Sequence, residues 1–462
     1  MSLLPEIDGA AFAPLLSGAD YSEAFLEQSE GLSLRFEEGR VEDIGVSAER
    51  GLGLRYLKRQ GGDIVTIQGS EQDVTAEAAA RLRKQLLNSA PSGSSITLNP
   101  LQTYKHIVRV DPSTIALDEK IALMRLVDKT IRSEFPNVRQ VTLSYGERRR
   151  DLAILNSEGA QTREERTAVI FSVTVVAEKD GMLQTGHEVI GGLKGWEILS
   201  DYDPLLFARI AARRAAAKLE APKAKAGEMP IVLSSSAGGT FIHEAIGHSL
   251  EVDHVQEGSS PAYKGKVGQV IAPENITVVD DPTLPSFRGS FRFDDEGIEA
   301  RPTPLVKNGV LTDYLYDRVT AMREGKPSNG HGRRESFHCR PIPRMSNLYI
   351  APGKDDPRLI LKNLKAGILV TRMGGGQVNT ATGEFVFEVD EGFWVEDGKI
   401  RHMVRDANLL GIGPEVLRSI DKVGWDIGWG IGTCGKDGQG VPVGDGQPTL
   451  SIPKILIGGK SE

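Results

Sequence analysis

A chain of 462 residues is too long for one ordinary hydrophobic core, so two domains are expected, each able to bury its own apolar surface without a stabilising metal. Its net charge of -8 argues against a nucleic-acid binder, because neutralising phosphates needs a concentrated basic surface. Only two cysteines are present, Cys339 and Cys434, which excludes a disulfide framework and fits a reducing, cytoplasmic setting, and no apolar run reaches the roughly 18 residues of a membrane span.

The opening stretch MSLLPEIDGAAFAPLL carries Pro5, Glu6 and Asp8 where a secretory leader would be apolar, so no leader is expected. Residues 20 to 60 read as a β-meander facing one core: Leu32, Leu34 and Phe36 alternate with polar neighbours, EEG at 37 to 39 turns the chain, and Leu52, Leu54 and Tyr56 resume the alternation. Helices are predicted over 70–87, which is alanine-rich, and over 117–133, where Leu117, Ile121, Met124, Val127 and Ile131 recur at helical spacing. Strands are predicted at 138–146, 152–157 and 167–180 as an antiparallel sheet, with Arg148, Arg149 and Arg150 in a solvated turn, and a helix over 204–221 closes this part. The expected fold class is α+β, with an N-terminal mixed antiparallel sheet and helices, and a C-terminal β-rich domain that carries a metal-binding helix.

The segment PKAKAGEMP, residues 222 to 230, has no apolar period and separates a helix from a strand, which sets the expected domain boundary: 1–222 and 223–462. Beyond it the texture changes to short β-like runs (231–234, 276–280, 385–389, 393–400) punctuated by glycine, with few helices besides one over Phe241 to Leu250, for which Thr240 is the expected N-cap.

That helix carries HEAIGH. In the zinc peptidase motif two histidines stand at i and i+4, about 40° apart around the helix, so both imidazoles reach one ion. His243 and His248 stand at i and i+5, about 140° apart on a regular helix. Sharing a metal therefore requires a local widening such as a π-bulge, or helix termination near Gly247. A catalytic zinc takes three protein ligands and leaves one position open. The candidates for the third are Cys434, in a glycine-dense loop, Cys339, His254, His331 and His338. Glu244 is the candidate general base. Arg333, Arg334, Arg340 and His338 are candidates for stabilising an oxyanion or binding a peptide terminus, with structural ion pairs to the DDEG region as the alternative. The alternating GEFVFEV segment, 383 to 389, is either a wall for an extended peptide or a plain core strand.

HEAIGH, VVDDPTLPSFRGSFRFDDEG, GHGRRESFHCRPIPRMSNLYI, GGGQVNTATGEFVFEVDEG and GTCGKDGQGVPVGDGQP, in this order, resemble the TldD/PmbA family of metallopeptidases, and the likeness spans nearly the whole chain. The resemblance implies the catalytic, TldD-type subunit, since the TldE (PmbA) type lacks the zinc motif. It implies one Zn2+ per chain on His243, His248 and Cys434, with Glu244 as base. It also implies hydrolysis of unfolded or modified peptides inside an enclosed dimer cavity, formed with a TldE/PmbA-like subunit as a heterodimer or with a second copy as a homodimer, and no nucleic acid or membrane. On that footing residues 1–222 serve cavity and assembly and 223–462 the peptidase chemistry. The competing expectation is a non-catalytic peptide-binding or assembly subunit whose zinc is structural, closed by a fourth ligand such as His254 or His338.

Overall fold

A computed structural model describes residues 3–88, 96–379 and 381–459. The fold is α+β, as expected. The first half is built on a seven-stranded sheet. Its central hairpin pairs Tyr21–Glu37 with Arg40–Gln60, turning at Glu38 and Gly39, which both take positive φ. The strand Asp63–Glu71 adds to one side and completes the meander.

The meander does not face one core. A 17-residue strand runs roughly 3.4 Å per residue, long enough to pass under two helices. Leu34 and Phe36 pack with Met124, Val127 and Ile131 of the helix Leu117–Glu134. Leu52, Leu54 and Tyr56 pack with Ala78, Ala79 and Leu82 of the helix Ala76–Leu87, which Thr75 caps at its N-terminus. The helix Pro204–Glu220 lies over the strands Gln161–Lys179 and Met182–Gly192.

The predicted arginine turn at 148 to 150 is not a turn. Val138–Asn156 is one continuous 19-residue strand, paired on both sides. Each guanidinium finds a carboxylate across the sheet: Arg149 Nη2 lies 3.0 Å from Glu165, and Arg150 Nε lies 2.8 Å from the fully buried Glu27. Paired charges of this kind remain in a strand that an isolated charge run would break.

In the second half, five strands close into a ring in the order Ala366–Val378, Gly227–Leu233, Leu450–Gly458, Ala407–Ile412 and Glu384–Glu396, the last returning to the first. Beside it stands a six-stranded sheet whose edge is the hairpin Gly428–Lys436 and Gln439–Gln447. Phe385, Phe387 and Val389 point into the ring's core, so GEFVFEV is a core strand. The helices here are short, none longer than the seven residues of Arg318–Glu324 and Gly413–Ser419 among the described residues. A buried ion network joins the halves: Arg55 and Arg334 both hold Glu23, and Arg55 also holds Glu296.

Candidate metal centre

The segment that carries HEAIGH is wedged between the ring and the six-stranded sheet. Phe241, Ile242, Ala245 and Ile246 are all fully buried, with Phe241 edge-on to Phe385 at 6.0 Å. Their burial anchors the segment, at about 1.5–3 kcal/mol for each large side chain. The backbone is not a regular helix. One α-turn, Thr240–Ile242, starts without a side-chain cap from Thr240 or Gly239, and leads into a π-helical turn, His243–Gly247, and then a 3-10 turn, His248–Leu250. The His248 N–H donates to the His243 carbonyl, an i to i+5 bond that inserts the extra residue into the turn. The two imidazoles consequently stand together, centroids 5.0 Å apart and nearly perpendicular. Gly247 makes this packing possible, since a Cβ there would sit 2.1 Å from Met345 Sδ and 2.7 Å from Leu348 Cδ2.

Cys434 reaches the same point from the strand Gly428–Lys436. Its Sγ lies 3.2 Å from His243 Nε2 and 3.4 Å from His248 Nε2. The other face of each imidazole is fixed by a carboxylate. His243 Nδ1–H donates to Asp445 Oδ1 at 2.6 Å, and His248 Nδ1–H donates to Glu251 Oε2 at 2.9 Å. Both rings therefore turn Nε2 toward the sulfur, the arrangement in which a carboxylate sets a ligating histidine's tautomer. Glu251 is itself fully buried and held by Lys436 Nζ at 3.2 Å, while Lys436 also holds Asp253 at 2.7 Å.

Electrostatics favour a thiolate. Burial pushes the Cys434 thiol up, but the hydrogen bonds and charge of His243 and His248 outweigh it and bring it down to about 5. Burial likewise pushes His248 down, and Glu251 with Cys434 outweighs it, raising the imidazole to about 9. His243 is raised the same way, against burial, by Asp445. Glu244, half-buried beside this cluster with Oε2 3.9 Å from His248 Nε2, has its carboxyl raised by burial.

The donor set fits zinc. Two imidazole nitrogens and one sulfur lie within 4.8 Å of one another. Zn–N near 2.1 Å and Zn–S near 2.3 Å at a tetrahedral angle place donors about 3.6 Å apart. The observed nitrogen–sulfur separations of 3.2 and 3.4 Å need only a small expansion. A cleft of about 760 Å³ opens onto the three donors and Glu244. It runs on into a second space of about 590 Å³, with Thr240, Gly375, Ile431 and Asp445 lining both. Along this cleft the strand Ala366–Val378 pairs on one side only. Ile368 to Val370 pair with Gly227–Leu233, but from Met373 to Val378 the strand pairs with Glu384–Glu396 alone among the described residues.

Three family models cover the chain: the PmbA/TldA metallopeptidase domain 1 over residues 22–88, the central domain over 110–219 and the C-terminal domain over 226–459. The chain belongs to the PmbA/TldD metallopeptidase family. A metalloprotease TldD homologue of Haemophilus influenzae is 34% identical over 452 residues, 95% of this chain and 93% of that one. A metalloprotease of Methanocaldococcus jannaschii is 33% identical, covering 94% of this chain and 96% of the other. The crystal structure of TldE from Thermococcus kodakarensis has the same fold at a TM-score of 0.70, with 18% identity over 95% of this chain and 97% of that chain.

Within this PmbA/TldD chain the predicted residues are distributed unevenly. His243, Glu244, His248 and Cys434 come together. Cys339 lies elsewhere, half-buried beside Ser336. His254 lines the cleft, but its Nδ1 faces Ser259 Oγ at 3.0 Å and its Nε2 lies 3.7 Å from Glu251, outside the donor cluster. His331 is wholly buried against Thr303 and held down to about 3 by burial, so it is neutral.

None of the four substrate-binding candidates lines the cleft at the donors. Arg334 is spent on an ion pair with Glu23 and on the Asp295 carbonyl, over the Phe25 ring, so its ion pair is structural but its carboxylate lies outside the DDEG region. Arg333 is buried and donates to the carbonyls of Met345 and Pro442. His338 meets Ser70 Oγ at 3.0 Å, and Arg340 is exposed against Asp437 at 3.3 Å. The sequence reading missed Asp445, Glu251 and Lys436. Glu251 stood three residues after His248, and Asp445 lay within the same glycine-dense stretch as Cys434, so a search for carboxylates to orient each imidazole had a signal to find.

Proposed function

We propose that this chain is a zinc-dependent peptidase that hydrolyses unfolded or modified peptides, with one Zn2+ per chain on His243, His248 and Cys434. The observation that carries this reading is the convergence of two carboxylate-oriented imidazoles and one acidified thiol on a cleft, with no fourth donor in the cluster among the described residues. An open fourth position is the mark of a catalytic rather than a structural zinc. When bound, the ion would supply a Lewis acid and lower the pKa of its water. Glu244 would take that proton and return it to the leaving amine, and its burial-raised carboxyl suits a group that must hold a proton in passing. Asp445 and Glu251 keep the imidazoles aimed.

An extended peptide added to the one-sided edge from Met373 to Val378 would be held by main-chain hydrogen bonds and read with little regard to its side chains. A TldE/PmbA-like subunit or a second copy would enclose the cleft, residues 1–222 serving assembly and 223–462 the chemistry, in the cytoplasm, where two unpaired cysteines remain reduced.

Glu244→Gln separates binding from chemistry. Bound zinc is expected to stay at wild-type stoichiometry while cleavage of an unfolded peptide falls at least about 100-fold; unchanged turnover would refute the base. Cys434→Ala is expected to lose zinc by elemental analysis, and full retention would remove it from the ligand set.

A further inference from the structure

A further cavity, of about 480 Å³, lies between the first sheet and the hairpin that carries Cys434, and its lining includes Arg148, Arg150, Arg166, Arg288 and Arg333. Five arginines around one space run against the chain's net charge of -8. Three are partly neutralised: Arg148 and Arg150 share Glu27, and Arg166 holds Glu164 at 2.9 Å and Asp295 at 3.6 Å. Glu147, also in the lining, is taken by Lys120 at 2.6 Å, and Glu335 accepts from the Gly440 N–H.

Arg288 and Arg333 are different. Among the described residues neither has a carboxylate in salt-bridge range. Arg288 donates from Nε to the Gly432 carbonyl at 3.1 Å and from Nη2 to Thr433 Oγ1 at 3.3 Å, and its Nη1 has no partner. Arg333 donates to the carbonyls of Met345 and Pro442 and stands 5.3 Å over the Phe291 ring. Burial, with no acid to oppose it, pulls Arg288 down from the usual guanidinium range, and burial pulls Arg333 down to about 10. Arg166 Nε is buried and unpartnered as well. A half-buried cation with no acid beside it, Arg288, and a fully buried one whose burial outweighs the pull of Asp295, Arg333, are costly unless something anionic joins them. Apolar side chains, Leu32, Val46, Val169, Ile170 and Leu193, share the wall with Ser33, Ser47, Ser290 and Thr433.

We propose that this cavity binds the carboxylate of an apolar organic acid, the guanidiniums of Arg288 and Arg333 taking the charge and the aliphatic wall taking the tail. A released peptide C-terminus ending in an apolar residue has this chemistry. That choice of source rests on the peptidase reading, whereas carboxylate binding does not. The cavity is separate from the metal cluster but adjoins it. Thr433 lines both spaces, and its side chain and that of Cys434 leave the strand on opposite faces. A product held there would lie one residue from a zinc ligand.

The test is calorimetric titration of the full chain with N-acetyl-L-leucine, N-acetyl-L-leucinamide, 4-methylpentanoate and inorganic phosphate. N-acetyl-L-leucine is expected to bind, the amide to bind at least about tenfold more weakly. Tighter binding of N-acetyl-L-leucine than of 4-methylpentanoate supports a peptide source, and the reverse order overturns it. Arg288→Met and Ala168→Glu, the second placing a carboxylate in the lining, are each expected to weaken binding at least about tenfold. Cys434→Ala is expected to bind as wild type does, and loss there would move the acid to the metal cluster and overturn the proposal. Equal binding of acid and amide, wild-type binding by Arg288→Met, or phosphate binding as tightly as N-acetyl-L-leucine would also overturn it. Because the readout is binding, a failure of the Glu244→Gln experiment leaves this result distinguishable.

Discussion

Gly247→Ala tests whether the π-turn is what brings the histidines together. The added Cβ would meet Met345 Sδ at 2.1 Å and Leu348 Cδ2 at 2.7 Å, far inside contact distance, and both side chains are fully buried with nowhere to retreat. Overpacking of this kind costs about 1–3 kcal/mol. Removing a helical glycine returns about 1 kcal/mol at most, so the clash wins and a net loss of about 1–2 kcal/mol is expected. His248 follows directly, so the displaced turn should also lower zinc affinity. Urea unfolding measures the first quantity, and competition with a chromophoric zinc chelator the second. Met345→Ala supplies the control. On its own it is destabilising, but combined with Gly247→Ala it opens the space the methyl needs, so the double variant should be more stable than the sum of the singles by about 1 kcal/mol. Strict additivity, or a Gly247→Ala chain as stable and zinc-avid as wild type, would refute the reasoning.

Asp445→Asn keeps an acceptor near His243 Nδ1 but removes the charge, and zinc affinity is expected to fall about 10–100-fold by chelator competition; an unchanged affinity would show that the carboxylate does not orient the ligand. Glu164 is held at about 2, because Arg166 and a hydrogen bond from His106 outweigh the burial that would raise it. Its folded value is depressed below the unfolded 4.5, so its contribution of up to about 3 kcal/mol is present above that pH and is lost as pH falls from about 4.5 through 2. Glu164→Gln should therefore flatten the acid limb of stability measured by urea unfolding across that window, and parallel wild-type and variant curves would sink the assignment.

The elements that were legible in the sequence are those whose signal is local. The helices Leu117–Glu134 and Pro204–Glu220 follow their apolar periods almost to the residue. The irregular helix around HEAIGH was legible too, since two histidines five positions apart that are read as sharing one ion leave little alternative to a widened turn. The local misses are at helix starts, where the helix expected over 70–87 begins at Ala76 after the strand Asp63–Glu71 and Thr240 makes no cap; the larger failures come from partners distant in sequence. The run at 148 to 150 is a strand because Glu27 and Glu165 answer its charges. One meander faces two cores because a different helix packs on each half of the long hairpin. Arg333 and Arg334 read as substrate-binding because nothing in their neighbourhood reveals Glu23 or the Pro442 carbonyl.

The metal centre joins these two kinds of information. The π-turn delivers both imidazoles, and one hairpin delivers both the thiol and a carboxylate, with Cys434 opposite Val441 and Asp445 opposite Gly430. Glu251 then bonds His248 on one side and Lys436 on the other, and Lys436 lies two residues beyond Cys434 on the same strand. Arg344 tightens the closure by donating to the carbonyls of Cys434 and Gln439 at the two arms of the hairpin. The contacts thus form a loop from strand to sulfur, to imidazole, to carboxylate, to ammonium and back to the strand. Undocking the hairpin breaks the set at two points at once, so the thiol and the carboxylate contacts are lost together when the sheet comes apart. An ion that binds this set and not the unfolded chain would stabilise the second half as RT ln(1 + [Zn]/Kd), about 4 kcal/mol at a thousandfold excess over Kd. The same linkage makes the packing of Gly247 and Met345, which lie outside the donor cluster, part of what the proposed zinc site depends on.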